Sequence, residues 1–451
     1  MTLSRKSLAV VAAAVLALGT AAACSSSKNK SGSSGGASSG APSANLSGVK
    51  YTVLGQWTGA EQAAFQAVIN AFDKATGAKG TYTPAAGGDE ATVLGTQVNA
   101  GHPPDIAMLA LPGAISQYAK AGKLQALGSD AEKAVSDNYA KVWTDLATVN
   151  GKVYGVPFDA SNKSTVWYRA QATADAGLPE NGPSTWDDFL KGLKTLNDSG
   201  VPVPLSIGGG DGWTLTDWFE NVYIRTAGID NYDKLTHHQI KWTDDTVKTA
   251  LETLKQLWGD SSLIGSPAAA LKVPFTGSVD NTFKNGAKSA VVFEGSFVAT
   301  TITGDKLPAK VGTDAKFFPF PSVNGSKPVI VGGGDFAVGF TTNKAVQPFL
   351  AYLATPEAAK AIVGTAGSGF LSANKNLATG DYSNPTSGEL GKQIVDAGDN
   401  FRFDMSDQAP AEFGGTPNQG EWADLQTFLR NGNVAAAQAS LEKHAAAAKG
   451  W

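Results

Sequence analysis

A chain of 451 residues with formal net charge −4, 42% hydrophobic and 17% charged residues is too long for one ordinary core and too apolar for a disordered chain, so a globular protein of two domains is expected. No basic cluster follows Lys30, which argues against nucleic acid as a partner, since phosphate contacts need clustered Lys and Arg. The single Cys excludes a disulfide within the chain and a Cys-rich metal motif.

Residues 1–23 give a short basic start (Arg5, Lys6), the apolar run Leu8–Leu18 and small residues Gly19–Ala23. This is the pattern of a signal peptide, with an apolar part too short for an ordinary membrane span. Ala21-Ala22-Ala23-Cys24 resembles the lipobox of bacterial lipoproteins, with Ala21 where Leu is commoner, and implies a lipidated Cys24 (a palmitate-type anchor). Residues 24–47 then read as the lipidated Cys and a flexible Ser/Gly tether. Within it Gly36-Ala37-Ser38-Ser39-Gly40 matches G-x-S-x-G formally, but a nucleophile elbow needs a strand before it and a helix after it.

Folded sequence is expected from near Val49. Lys50–Trp57 reads as a strand, and Phe65, Val68, Ile69 and Phe72 share one face of the helix that follows. Gly77 ends that helix, Lys79–Thr83 reads as a strand, Glu90–Ala100 as a helix, and Asp105–Leu109 as a buried strand. Pro112–Ala121 is a further helix. Alternation of this kind predicts a parallel sheet covered by helices, with ligand beyond the carboxyl ends of its strands. Trp57, Glu61 and the Leu109–Pro112 loop become rim candidates.

In Val149–Arg169 the turn Asn150-Gly151 signals a hairpin. A polar run, Asp159–Ser164, separates Pro157 from the strand at Thr165–Tyr168. It reads as a crossing from one compact unit to the next. Beyond it come a capped helix at Ser184–Asn197, a strand at Val203–Ile207, and the glycine loop that delivers Asp211 and Trp213. Helices are expected at Asp217–Ala227 and Asp244–Trp258. Ala290–Glu294 is a buried strand presenting Glu294 and Phe297, and Phe317–Pro321 and Pro328–Phe340 are strands around Gly332-Gly333-Gly334-Asp335. Gly332, Gly334 and Ala337 fit a loose dinucleotide fingerprint, but the functional form must open a helix and this stretch has strand character. His237-His238 lacks a third ligand, so no metal is expected. The tail is largely helical.

Several motifs together resemble the extracellular sugar-binding proteins of ATP-binding-cassette importers, the maltose-binding class (family 1 solute-binding proteins): N-G-K-V-Y-G-V-P with W-Y (150–168), A-G-L-P (176–179), T-W-D-D-F (185–189), Ala100–Ile106, Ala290–Phe297, and Phe401–Asp404 with Ser406-Asp407. The resemblance implies an α/β, two-lobe periplasmic-binding-protein fold (type II, Venus-flytrap) with a ligand cleft between lobes. It implies a monomer that captures a mono- or oligosaccharide outside the cell, is anchored by lipid to the membrane, and hands the sugar to the permease subunits of the importer. No catalysis and no cofactor are implied. Lobe 1 is expected from 48–157 and 299–345, and lobe 2 from 158–298 and 346–451.

A neutral, hydroxyl-rich ligand agrees with 10 Trp, 10 Tyr and scarce Arg, because flat rings suit sugar C–H faces and an anion would call for bidentate Arg. Expected ligand-binding residues are Trp57, Glu61, Asp159, Asp211, Trp213, Phe297, Asp335, Asp404 and Trp422, while Trp143, Trp186, Trp242 and Trp258 read as core. Two alternatives stay open: a binding protein for a non-sugar solute such as a peptide or polyamine, and a secreted glycoside hydrolase, which would also combine rings with paired carboxylates.

Overall fold

The computed structural model describes residues 44–85 and 90–451. The signal peptide, Cys24 and nearly all of the tether lie outside the described residues. Among them, no helix is long and apolar enough to cross a membrane.

Two sheets carry the chain. The first has the order Lys79–Pro84, Lys50–Gly55, Ile106–Leu109, Phe336–Gly339, Gly155–Pro157. Its first three strands are parallel, as their helical connections require. Phe336–Gly339 runs antiparallel to both of its neighbours, so the expected all-parallel sheet is mixed. The second sheet has the order Ala315–Pro319, Thr165–Arg169, Val291–Phe293, Leu205–Ser206 and contains one parallel pair.

A third, three-stranded sheet joins them: Phe401–Phe403, Ile330–Gly333 and Ser161–Asn162. Because side chains alternate across a strand, Val331 enters one hydrophobic cluster while its neighbour Ile330 packs on the other. The same alternation places Val166 and Tyr168 on one side of the second sheet and Trp167 on the other.

The helix Gly59–Thr76 buries Phe65, Val68, Ile69 and Phe72, as its spacing predicts. The hairpin joins Thr148–Val149 to Lys152–Val153, and both turn residues take positive φ, Asn150 at 50° and Gly151 at 74°, as a type I′ turn demands.

The expected lobe boundaries shift in three places. Leu46, assigned to the tether, is buried and its N–H donates to Thr76 O at 2.8 Å. Ala315–Pro319 belongs to the second sheet. The helix Val346–Leu353 packs on the first sheet's helices and strands, with the Phe349 ring 5.2 Å from Phe72 and 5.4 Å from Tyr51.

Candidate functional site

Two groups of acidic side chains flank the joining sheet. In the first, the chain turns sharply at Gly334, where a Cβ would run into Asp159 O and approach Trp143. That close approach lets Asp335 N–H donate to Asp159 O at 3.2 Å and Phe158 N–H donate to Asp335 O at 3.2 Å. The two carboxyl groups act on one another. Gln56 donates to Asp335 Oδ1 at 3.4 Å and Leu371 N–H to Asp159 Oδ1 at 3.3 Å.

Burial pushes Asp335 up to about 6, and burial with the neighbouring Asp335 charge pushes Asp159 well above the carboxylate range. The same two causes raise Glu61, in the first turn of Gly59–Thr76, and push Glu90 up to about 8. Glu90 Oε1 is buried without a hydrogen-bond partner among the described residues.

The second group is built on Lys163, which lies between the strands Ser161–Asn162 and Thr165–Arg169. Its Nζ reaches Asp404 at 2.5 Å, Asp217 at 3.3 Å and Asp407 at 3.4 Å. Asp404 Oδ1 also accepts from Ser406 Oγ at 2.7 Å and Asp407 N–H at 2.9 Å. Glu294 acts electrostatically on Asp217, and Asp217 Oδ2 and Glu294 Oε2 are buried without a hydrogen-bond partner among the described residues. Burial raises every carboxyl here, but the ammonium overcomes it at Asp404, which stays well below the usual range. Burial and the Asp404 charge push Asp407 up to about 7, and burial pushes Glu294 up to about 8. The two groups adjoin: a Cβ on Gly333 would lie 3.4 Å from Lys163 Cε and 3.8 Å from Asp407 Oδ2, two residues from Asp335.

Above Lys163 stand three half-buried rings. Trp213 lies 5.3 Å from Phe275 and 5.9 Å from Phe297, and Phe275 lies 5.3 Å from Phe297. Trp213 opens the helix Trp213–Ala227, four residues earlier than expected, after Gly212 at φ 87°. A Cβ on Gly212 would sit 2.9 Å from Trp422 Cβ, so Trp422 packs beside this loop, its indole Nε1 buried and unpartnered. Asp211 accepts from Phe275 N–H at 2.7 Å, a staple that holds the ring loop in place.

Of the expected residues, the structure brings Glu61, Asp159 and Asp335 together on one side. Trp213, Phe297, Asp211 and Trp422 gather on the other. Trp57 and Asp404 are packed inward. Trp57 is 7% exposed and wedged between Phe158, Phe370 and Phe65 at 5.3, 5.0 and 6.1 Å. Asp404 is fully buried and committed to Lys163, Ser406 and the Asp407 N–H. An open groove of about 1460 Å3 passes Glu61, Ser296, Thr300 and Ser368; Glu61 is the one expected residue that lines it.

Sequence reasoning missed Lys163, Asp217 and Phe275. Asp217, Glu220 and Asn221 share the helical face of Trp213, and polar residues at that spacing in an otherwise apolar helix mark a buried network.

The family of bacterial extracellular solute-binding proteins matches residues 56–360. The alpha-glucosides-binding periplasmic protein AglE of Rhizobium meliloti is 32% identical over 416 residues, covering 88% of this chain and 87% of the relative. The osmoprotective compounds-binding protein GgtB of Synechocystis sp. is 33% identical over 374 residues, covering 80% and 85%. The apo form of RafE from Streptococcus pneumoniae shares the fold at a TM-score of 0.69 and 20% identity, over 88% of this chain and 98% of that one.

Proposed function

We propose, from the premise that this chain belongs to the bacterial extracellular solute-binding proteins, that it captures a sugar between its two lobes and delivers it to the permease of an ATP-binding-cassette importer, without catalysing a reaction. The observation that carries the reading is the trio Trp213, Phe275 and Phe297, half-buried rings in mutual contact beside carboxyl groups. Rings offer apolar faces to sugar C–H groups while carboxyl oxygens accept from hydroxyls. Arg225 donates to Asn221 and Val329 O, and Arg402 pairs with Asp233, so neither is free for an anionic ligand. The name of the α-glucoside-binding relative supports an α-glucoside as the first sugar to try.

A second reading has its own observation. The group around Asp335 contains several carboxyl groups and no cation acts on it among the described residues, which suits a polyamine. A thermal-shift panel of α-glucosides, other mono- and oligosaccharides, peptides and polyamines separates the two. A rise in melting temperature with sugars alone supports the first reading, and a rise with polyamines alone replaces it.

Anchoring by lipid at Cys24 completes the proposal, since a diacylated Cys gives stable attachment. Cys24→Ala is expected to release the protein or leave an unprocessed precursor; fractionation like the unaltered protein would remove the anchor from the account.

A further inference from the structure

Lys163 leaves the joining sheet with its main chain held on both sides. Its N–H donates to Val331 O at 2.9 Å, and its carbonyl accepts from Asn221 Nδ2 at 2.9 Å. The side chain is 12% exposed. An ammonium has three N–H donors and no acceptor, and here each donor has a carboxylate: Asp404, Asp217 and Asp407. The closest of them is itself fixed: Asp404 Oδ1 accepts from Ser406 Oγ and from the Asp407 N–H. The cation therefore has one place to sit. That place is over the face of Trp213, 6.0 Å from the ring centroid, at the outer reach of a cation–π contact.

The ring has little else to orient it. Its neighbours Phe275 and Phe297 meet it at interplanar angles of 52° and 62°, contacts that tolerate rotation. No hydrogen bond holds its indole N–H among the described residues.

We propose that Lys163 is a positioning residue of the ligand site: anchored by Asp404 and Asp217, its ammonium sets the orientation of the Trp213 ring and ties that ring to the sheet joining the two lobes. Trp213 is thereby referenced to the joining sheet as well as to its own helix. Its contact with ligand rests on the function proposed above; its dependence on Lys163 does not.

The test uses the whole protein labelled with 5-fluorotryptophan and needs no ligand. The 19F line of Trp213, among 10 Trp, is assigned with Trp213→Phe. In Lys163→Met this line is expected to shift and broaden while the lines of the core rings Trp143, Trp167 and Trp242 hold. Lys163→Arg, which keeps the charge, is expected to return it toward its original position. Should the Met variant fail to fold, Lys163→Gln, which keeps N–H donors for Asp404, carries the same expectation. A purely structural lysine lowers melting temperature without singling out one indole. A Trp213 line that stays in place in a folded Met or Gln variant, or moves only along with every other line, overturns the proposal. Sugar binding is read separately in the ligand panel, so the two can fail independently.

Discussion

Around Asp335, the carboxyl groups of Glu61, Glu90, Asp159 and Asp335 act on one another with no cation among them. Around Lys163, those of Asp217, Asp404 and Asp407 share one ammonium. Both groups are largely buried, although Glu61 lines the groove and the Asp407 side chain is 29% exposed, and burial disfavours charge in each. In the first group every carboxyl is shifted upward, toward its protonated form. The second offsets burial with a cation, but for one carboxyl only: Asp404 is held low while Asp407 is raised to about 7 and Glu294 to about 8. A single lysine thus secures the carboxylate it touches most closely, and the others still depend on protons.

The comparison breaks most sharply at the cation. Lys163→Met leaves Asp404 buried without its partner and is expected to cost about 3–5 kcal/mol, the range for removing one member of a buried ion pair. Urea unfolding at pH 7 measures it; a loss under about 1 kcal/mol would mean the ammonium is solvated in place.

Next comes pH. The folded values of Asp335, Asp407, Glu90 and Glu294 lie at about 6, 7, 8 and 8, above their ordinary 3.8 or 4.5. Between those limits the folded chain binds more protons than the unfolded one, so stability falls as pH rises through 6 to 8. Asp404, depressed, acts oppositely, but its contribution is lost only below about pH 4. Melting temperature should therefore decline from pH 5 to pH 9. Glu90→Gln, with no cation to lose, should flatten the decline between about pH 4.5 and pH 8. A flat or rising profile contradicts the proton side of the comparison.

The smallest effects on folding fall on the rings. Trp213→Ala should leave melting temperature nearly unchanged yet weaken sugar binding by roughly 5- to 150-fold, as expected for about 1–3 kcal/mol of apolar burial per ring. Trp57→Ala marks the contrast, because truncating a packed core ring costs about 3–5 kcal/mol. Calorimetric affinity and melting temperature, measured as a pair, distinguish the two.

Much of the fold was readable along the chain. The buried face of Gly59–Thr76, the caps of Thr185 and Asp244 and the Asn150-Gly151 hairpin all rest on contacts a few residues apart. The remainder depends on partners far away in sequence. Lys163 meets Asp217, Asp404 and Asp407 at separations of 54, 241 and 244 residues, and no local pattern reports such meetings. Trp57 shows the same limit. A ring just beyond a strand suits a rim or a core equally, and the rings of Phe158 and Phe370 decided it. Strand direction is likewise non-local: Phe336–Gly339 runs against Ile106–Leu109 because the chain returns to the first sheet after a long excursion.

A sugar met from both sides of the joining sheet, as proposed, requires the lobes to close on it. Small-angle X-ray scattering tests this directly, on protein shown to be empty and again at saturating concentrations of the sugar found by the panel. A smaller radius of gyration is expected with sugar bound. An unchanged radius at saturation would contradict it.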